Sequence, residues 1–154
     1  MPRSVNPAGL ALLRQFEGLR LNAYRCPAGI WTIGYGHTRG VTPRQTVTDE
    51  EAEELLIQDV SITAAAVEVL VQVTLNDNQF SALCCFAFNV GTGALAGSTL
   101  LRLLNRGWYS QVPAQWMRWT KASGRDLPGL RARRIAEATL WAQSSPTKTE
   151  RNIP

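Results

Sequence analysis

Histidine and spaced cysteine pairs are scarce in this sequence. Of 154 residues only His37 is histidine, and the three cysteines are an isolated Cys26 and the adjacent Cys84 and Cys85. Zinc sites need several Cys, His or carboxylate ligands at defined spacings, and the sequence contains neither an HExxH motif nor a CxxC pair. We therefore predict no metal site. Cys84 and Cys85 are embedded in apolar sequence and do not form a disulfide framework, so both are predicted to be core residues.

A long hydrophobic segment is also missing. The N-terminal apolar run, residues 5–13, is interrupted by Asn6 and Pro7 and is followed by Arg14. Secretory segments and membrane spans need longer apolar runs than this. We therefore expect no stable membrane insertion, and we expect the chain to stay in the cytoplasm where it is made until it is released.

Acidic residues are scarce in the C-terminal part of the chain. Residues 101–154 carry ten Lys and Arg but three Asp and Glu, whereas residues 1–100 carry six and nine, for a net charge of +4. A basic surface favours an anionic partner, and nucleic acid, a membrane surface and an acidic cell wall all act through the same long-range field. No basic and aromatic motif typical of nucleic-acid-binding proteins occurs, so we predict no nucleic-acid partner. A merely solvated basic surface explains the charge equally well.

Apolar periodicity and capping residues predict a mainly helical chain. Thr48 followed by Glu51, and Asn76 followed by Gln79, are capping-box patterns that mark two helix starts. Strand-forming and turn-forming residues are instead mixed over residues 18–43, which predicts a small antiparallel sheet. The predicted helices cover residues 7–17, 48–70, 79–90, 98–106, 109–120 and 128–143.

These elements predict one α+β domain over residues 1–154. A β-rich lobe over about residues 18–46 and a helical lobe over about 70–143, completed by the N-terminal helix, are joined by the long helix. The polar, proline-containing tail 144–154 is expected to be flexible. Two lobes joined in this way leave a cleft, which is a common place for a substrate to bind.

Three residues suited to glycoside hydrolysis lie in the first predicted helix and the sheet. Glu17 ends the helix, eight residues separate it from Cys26, and five more separate Cys26 from Thr32. Glycoside hydrolysis needs a carboxylic acid that keeps a proton for the leaving oxygen, and a second group that activates water or stabilises the developing positive charge. An isolated Glu at a helix end is usually a solvated surface residue. A catalytic Glu17 is instead implied by the resemblance of this segment, with its string Thr-Ile-Gly-Tyr-Gly-His beginning at Thr32, to a known family.

The same segment resembles the phage lysozymes of the bacteriophage T4 type, glycoside hydrolase family 24. Their signature is Glu, eight residues, Asp or Cys, five residues and Thr, and the resemblance extends over nearly the whole chain. It is carried by residues 16–20, 23–38, 58–60, 88–91, 98–102 and 131–134. The resemblance implies a lysozyme-like fold with an active site of Glu17, Cys26 and Thr32.

Within that resemblance Glu17 is the general acid, and Cys26 stands where Asp is commoner in the family. As a thiolate, favoured by a positive neighbour such as Arg25, Cys26 could act as a base toward water or attack the anomeric carbon. As a neutral thiol it could only help to position water, and a half-buried structural cysteine is a further interpretation. Thr32 is expected to hold the attacking water beside position 26, and the family as a whole inverts the anomeric configuration.

The resemblance also assigns residues around this centre. It pairs His37 with Asp59 as a structural ion pair, which favours a structural over a catalytic role for His37. Arg131 matches the basic, substrate-binding residue that faces the catalytic Glu across the cleft, with the two nearby arginines of the same predicted helix as alternatives. Phe88 matches an aromatic ring of the saccharide groove, although its apolar helix also suits a core residue.

The function that the resemblance implies is that of an endolysin. Such a muramidase hydrolyses the β-1,4 bond between N-acetylmuramic acid and N-acetylglucosamine in bacterial peptidoglycan, needs no cofactor and works as a monomer. It accumulates in the host cytoplasm and reaches the cell wall through a holin-type membrane lesion. The alternatives are a cysteine peptidase built on Cys26 and His37, and a non-catalytic cell-wall-binding protein of lysozyme fold. The intact Glu17 and Thr32 argue against the second alternative.

Overall fold

Within residues 2–143, which this computed structural model describes, seven α-helices and two small antiparallel sheets follow one another along the chain. The predicted flexible tail, residues 144–154, lies outside the described residues. The elements are α1 (Pro7–Glu17), β1 (Arg20–Arg25), β2 (Trp31–Gly34), α2 (Asp49–Leu70), α3 (Asp77–Val90), α4 (Thr92–Ala96), α5 (Thr99–Asn105), α6 (Val112–Trp116), β3 (Lys121–Ala122), β4 (Arg125–Asp126) and α7 (Pro128–Ala142). The α+β class with a small antiparallel sheet is confirmed.

The first helix leads directly into the first sheet. The Asn6 side chain accepts a hydrogen bond from the Gly9 amide at the start of α1, and Gly18 ends the helix with a φ of 71°. Because only glycine adopts a positive φ at little cost, the chain can turn sharply there. It then enters β1, which pairs with β2 so that Tyr24 lies opposite Thr32. Glu17, the last residue of α1, is thereby placed at the base of the hairpin.

The long helix α2 contributes to two hydrophobic cores. Its capping box is formed as predicted, since the Thr48 hydroxyl accepts from the Glu51 amide and the Glu51 carboxylate accepts from the Thr48 amide. Ala52, in the first turns, packs with Ile33 and Val47 in a small core beneath the sheet. Later buried residues of α2 belong instead to the larger core of the helices; they are Leu56, Val60, Ala64 and Val67. The helix therefore links the sheet to the helical part of the protein, as predicted.

Helix α3 lies at the centre of the helical part. Its capping box of Asn76 and Gln79 is formed, and an unbroken run of its residues, 80–87, is buried. Cys84 and Cys85 are fully buried free thiols, which confirms the prediction that both are core residues. Helix α7 packs along α3, and this contact brings the basic residues of α7 to the end of α1.

Three features after residue 90 differ from the predicted helices. The short helix α4 was not predicted. It has only five residues between two glycines, which is too short to show the regular spacing of apolar residues that indicates a helix. The predicted helix 109–120 is instead one turn of 3-10 helix, Tyr109–Gln111, followed by α6, which stops at Trp116. The hairpin β3–β4 follows it, turning through Ser123 and Gly124 at φ values of 51° and 76°. Two consecutive positive φ values are typical of a tight hairpin turn, so the Ser-Gly pair was the available signal.

Candidate active site

The Glu17 carboxylate lies at the junction of α1, the first sheet and α7. Its side chain is 21% exposed to solvent, and Oε1 accepts a hydrogen bond from Nη1 of Arg133 at 2.7 Å. On the side of the sheet it faces Gly36, where an added Cβ would lie 3.6 Å from Oε2. Glu17 is therefore held at one oxygen, while the other oxygen lies beside backbone that carries no side chain.

The arginine that contacts Glu17 is Arg133, and the expectation that Arg131 faces Glu17 is corrected. Helix α7 presents different faces at these two positions, because residues two apart point in directions about 200° apart. Arg131 is exposed and forms an ion pair with Asp126 on the neighbouring hairpin. Arg133 is 4% exposed and points between α1 and α3. The sequence analysis offered Arg133 and Arg134, the two nearby arginines of this helix, only as alternatives to Arg131.

A buried charge cluster, formed by Arg133, Arg134 and Glu137, lies beneath Glu17. Arg133 donates from Nε to Oε2 of Glu137 at 3.1 Å and from Nη2 to the Cys85 carbonyl oxygen at 3.3 Å. Nε of Arg134 lies 3.0 Å from Oε1 of Glu137. Glu137 was not singled out from the sequence. The available signal was its spacing of three and four residues from two arginines, which places all three side chains on one side of a helix.

Burial dominates the electrostatics of this cluster. Removal from water raises the pKa of the Glu137 carboxyl, while its two arginine neighbours and the hydrogen bond from Trp116 act in the opposite direction. Burial likewise lowers the pKa of Arg134, although Glu137 opposes that effect. Because these groups are buried away from water, the charged state of each depends on the charges of the other two.

Cys26 and Thr32 lie on the hairpin that follows Glu17. Cys26 directly follows β1 and begins a tight turn, because its amide donates to the Ile30 carbonyl oxygen at 2.9 Å and its own carbonyl oxygen accepts from the Gly29 amide at 2.8 Å. Thr32 is buried in β2, and its hydroxyl donates to the same Ile30 carbonyl oxygen at 2.9 Å. One carbonyl oxygen thus ties the two predicted site residues to a common turn.

The Cys26 thiol is half-buried, and its pKa is lowered. Backbone hydrogen bonding from Ile30 is the largest cause, backbone hydrogen bonding from Ala28 adds to it, and partial burial opposes it. Arg25, which was expected to stabilise the thiolate, instead has its guanidinium 5.1 Å from the ring centroid of Trp31. The local turn, rather than a neighbouring positive charge, favours the thiolate.

His37 and Asp59 are in direct contact. Nδ1 of His37 lies 2.8 Å from Oδ2 of Asp59 in α2, and Nε2 lies 2.8 Å from the Arg39 carbonyl oxygen. Both ring nitrogens therefore have partners other than Cys26, and the arrangement does not favour a Cys26–His37 peptidase pair. The contact joins the sheet to the long helix.

A cleft of about 510 Å³ opens beside Glu17. It is lined by Phe16, Glu17, Asn89, Leu127, Pro128, Gly129, Leu130 and Arg133. Phe88 is not among the lining residues; it is half-buried and packs against the helical core, in agreement with the core interpretation.

Within residues 2–143, no group of three or more His, Cys, Asp or Glu side chains could hold a metal ion. In the same range, no helix is long and apolar enough to span a bilayer.

Comparison with known proteins relates this arrangement to phage enzymes. The family model described as phage lysozyme matches residues 14–137. The chain is 43% identical, over 141 residues, to the endolysin of Acyrthosiphon pisum secondary endosymbiont phage 1, covering 89% of this chain and 97% of that protein. Among solved structures, the muramidase domain of SpmX from Asticaccaulis excentricus superposes with a TM-score of 0.87 at 37% identity, covering 92% of this chain and 99% of that one. A P22 lysozyme mutant superposes with a TM-score of 0.83 at 38% identity and the same coverage.

The fold and the cleft carboxylate, together with these similarities, define a glycoside hydrolase of the lysozyme class. The chain belongs to the phage lysozyme family. It is a peptidoglycan-hydrolysing phage endolysin, and a non-catalytic wall-binding role is not favoured.

Proposed function

We propose that the enzyme is a muramidase that cleaves the β-1,4 bond between the anomeric carbon C1 of N-acetylmuramic acid and the following N-acetylglucosamine. The observation that carries this proposal is the Glu17 carboxylate, held by Arg133 at the edge of a cleft of about 510 Å³. Similarity to a muramidase domain and to a P22 lysozyme supports the choice of bond. No metal or organic cofactor takes part.

Glu17 is the general acid of the reaction. A general acid must keep its proton until the glycosidic oxygen leaves, and must then release it toward that oxygen. Arg133 fixes Oε1 by its hydrogen bond, which leaves Oε2, beside Gly36, as the oxygen free to carry the proton. Because Arg133 also binds Glu137, its charge is shared between two carboxylates and does not act on Glu17 alone.

Cys26 and Thr32 activate the attacking water. The lowered pKa of the Cys26 thiol makes a thiolate available as a base, and the Thr32 hydroxyl can accept a hydrogen bond while it donates to Ile30. Water attack on the face of the sugar opposite to the leaving group would invert the anomeric configuration. His37 takes no chemical part and, with Asp59, stabilises the attachment of the sheet to α2.

Chemical analysis of the cleaved glycan tests the bond. Purified peptidoglycan is digested, the new ends are reduced with borohydride, and the product is hydrolysed to its amino sugars. A muramidase gives muramitol, a glucosaminidase gives glucosaminitol, and an amidase or peptidase gives new amino groups without new reducing ends. Muramitol is the expected product; either of the other results would refute the assignment.

The role of Cys26 is tested by the anomer that forms first and by mass spectrometry. Digestion in deuterated water, followed by proton NMR within the first turnovers, should show the α-anomer before mutarotation. An initial β-anomer, with a glycosyl adduct on Cys26 in rapidly quenched enzyme, would identify Cys26 as a nucleophile. Cys26→Asp should retain activity if position 26 supplies a base, whereas Cys26→Ala should lose most of it.

The enzyme acts as a monomer and is released to the wall by a holin-type lesion. Support for this delivery route comes from the similarity to a phage endolysin. Expression in a bacterial host should leave cells intact until a holin is co-expressed or the membrane is permeabilised. Lysis without either would show that another export route exists.

Light scattering during size-exclusion chromatography measures the oligomeric state, and a mass near 17.0 kDa is expected for a monomer.

A further inference from the structure

Glu137 is a fully buried carboxylate to which the proposed reaction assigns no role. It lies one turn after Arg133 in α7, and its side chain has no exposure to solvent. An unpaired buried charge would be strongly destabilising, so a carboxylate in this position must be balanced by its neighbours. The identity of those neighbours indicates what Glu137 does.

Every hydrogen bond that the structure gives Glu137 is one that its oxygens accept. Nε1 of Trp116, in α6, donates to Oε1 at 3.0 Å, and Nε of Arg133 donates to Oε2 at 3.1 Å. Both oxygens thus act as acceptors, as in an ionised carboxylate. Arg134 completes the charge balance, since its Nε lies 3.0 Å from Oε1, although at an angle that makes an ion pair without a hydrogen bond.

The two arginines extend from Glu137 to two residues of the cleft. Arg133 reaches Glu17, and Arg134 donates from Nη2 to the side-chain oxygen of Asn89. Glu17 and Asn89 both line the cleft of about 510 Å³. A single buried carboxylate therefore orients two side chains that in turn fix two parts of the cleft wall.

From this geometry we propose that Glu137 is a positioning residue for Arg133. Its negative charge holds Arg133 in place and offsets the positive charges of Arg133 and Arg134, which would otherwise act on Glu17 without a counter-charge. The proposal rests on the role of Glu17 as the general acid. Glu137 does not itself touch the substrate; it determines the pH range over which Glu17 carries the proton that the reaction needs.

The direction of the effect follows from the charges around Glu17. Arg133 in α7 contacts it directly, Arg134 contacts Glu137 in the same helix, and Glu137 balances the two arginines. Cys85 in α3 also faces this group, but burial raises the pKa of its thiol, which stays neutral. If Glu137 becomes neutral, the two positive charges stabilise the ionised form of Glu17, so that Glu17 loses its proton at lower pH.

The test is a carbon-13 NMR titration of the Glu17 carboxyl in the folded protein, together with the pH profile of kcat/KM on peptidoglycan. In Glu137→Gln, the titration midpoint and the alkaline limb of the profile should both move down by about one pH unit, as expected for a charge several ångströms away. Glu137→Asp keeps the charge and should stay much closer to wild type. Glu54→Gln, at an exposed position in α2, is the control for loss of a distant carboxylate.

A second variant keeps the proposal testable if Glu137→Gln does not fold. Arg134→Gln removes one of the positive charges while Glu137 remains, so both the titration midpoint and the alkaline limb should move up. A midpoint that does not move in folded Glu137→Gln, or that fails to rise in folded Arg134→Gln, would overturn the proposal. Equal shifts in Glu137→Gln and Glu137→Asp would overturn it too, because they would show that packing rather than charge is responsible.

The two readouts separate this proposal from the proposed role of Glu17. A shift of the Glu17 titration that the activity profile follows supports both. A shift of the titration while the activity profile stays fixed supports the coupling to Glu137 and refutes Glu17 as the general acid.

Discussion

Arg133 and Glu17, 116 residues apart in sequence, are joined by a hydrogen bond of 2.7 Å between Nη1 and Oε1. This contact connects α7 with the end of α1 and brings a basic residue of the C-terminal half to the carboxylate of the cleft. The excess of positive charge after residue 100 is thus in part internal. Arg133 and Arg134 are buried against Glu137, whereas Arg131 remains on the surface.

Replacement of Arg133 should destabilise the protein far more than replacement of Arg131. Arg133→Gln leaves the buried Glu137 and the partly buried Glu17 without their shared cation, which should lower the free energy of unfolding by about 3 kcal/mol. Arg131→Gln removes an exposed pair with Asp126 and should cost less than about 1 kcal/mol. Urea denaturation at pH 7 measures both. Equal losses in the two variants would contradict the assignment of Arg133 to the buried cluster.

Cys26 should be the thiol that reacts selectively with alkylating reagents. Its pKa is lowered by the turn around Ile30, whereas burial raises the pKa of Cys84 to about 12 and that of Cys85 further. Because the thiolate is the reactive form, iodoacetamide should label Cys26 at a lower pH than it labels free cysteine. Mass spectrometry of the native protein should find one label per chain and none in Cys26→Ser. Labelling of Cys84 or Cys85 under native conditions would show that the core opens.

Gly36 should affect activity through its closeness to Glu17. Gly36→Ala places a Cβ 3.6 Å from Oε2 at a φ of 87°, so it combines backbone strain with a contact at the oxygen proposed to carry the proton. Gly40→Ala is the matched control, because its φ is 70° but its Cβ would have no atom within 4 Å. Both variants should lose about 1 kcal/mol of stability from the left-handed backbone. A loss of kcat confined to Gly36→Ala is expected; the same kcat in both variants would contradict the position of Oε2.

Loss of the Asp59 charge should loosen the sheet from the long helix. Asp59→Asn weakens the partner of His37 Nδ1 in a half-buried contact, and a loss of about 1–2 kcal/mol in the free energy of unfolding is expected. Asp77→Asn breaks an exposed pair with Arg3 and should change stability by less than about 1 kcal/mol. Catalytic constants per folded molecule should stay near wild type in Asp59→Asn. A large fall in kcat with unchanged stability would indicate that His37 takes part in the chemistry.

Local sequence signals were sufficient for much of the fold. The caps at Thr48 and Asn76 and the glycine after Glu17 fix helix ends through interactions within a few residues. The end of α1 and the start of α2 are where they were predicted, whereas α3 begins directly after its predicted cap, two residues before the predicted range of 79–90. The hairpin β3–β4 was missed because its strands have only two residues each, which is too short to show the alternation of apolar and polar residues that marks a strand. Its turn depends instead on two positive φ values at Ser123 and Gly124.

The candidate site was predictable only in part, for a different reason. The spacing of Glu17, Cys26 and Thr32 lies within one short segment and could be recognised there. The choice among three arginines in α7 depends on which face of that helix packs against α1 and α3, and the sequence around residue 131 does not specify this. Glu137 makes contacts with Arg133 and Trp116 that become visible only after the helices pack.

The central claim is that Glu17 is the general acid, and the release of reducing ends by Glu17→Gln tests it most directly. Glutamine keeps the size of the side chain but has no acidic proton to donate, so the rate of release from purified peptidoglycan should fall by about 10²–10⁴-fold, the usual contribution of general acid catalysis. Glu54→Gln should keep the wild-type rate, and circular dichroism should show that both variants are folded. A folded Glu17→Gln that releases reducing ends at the wild-type rate would contradict the account.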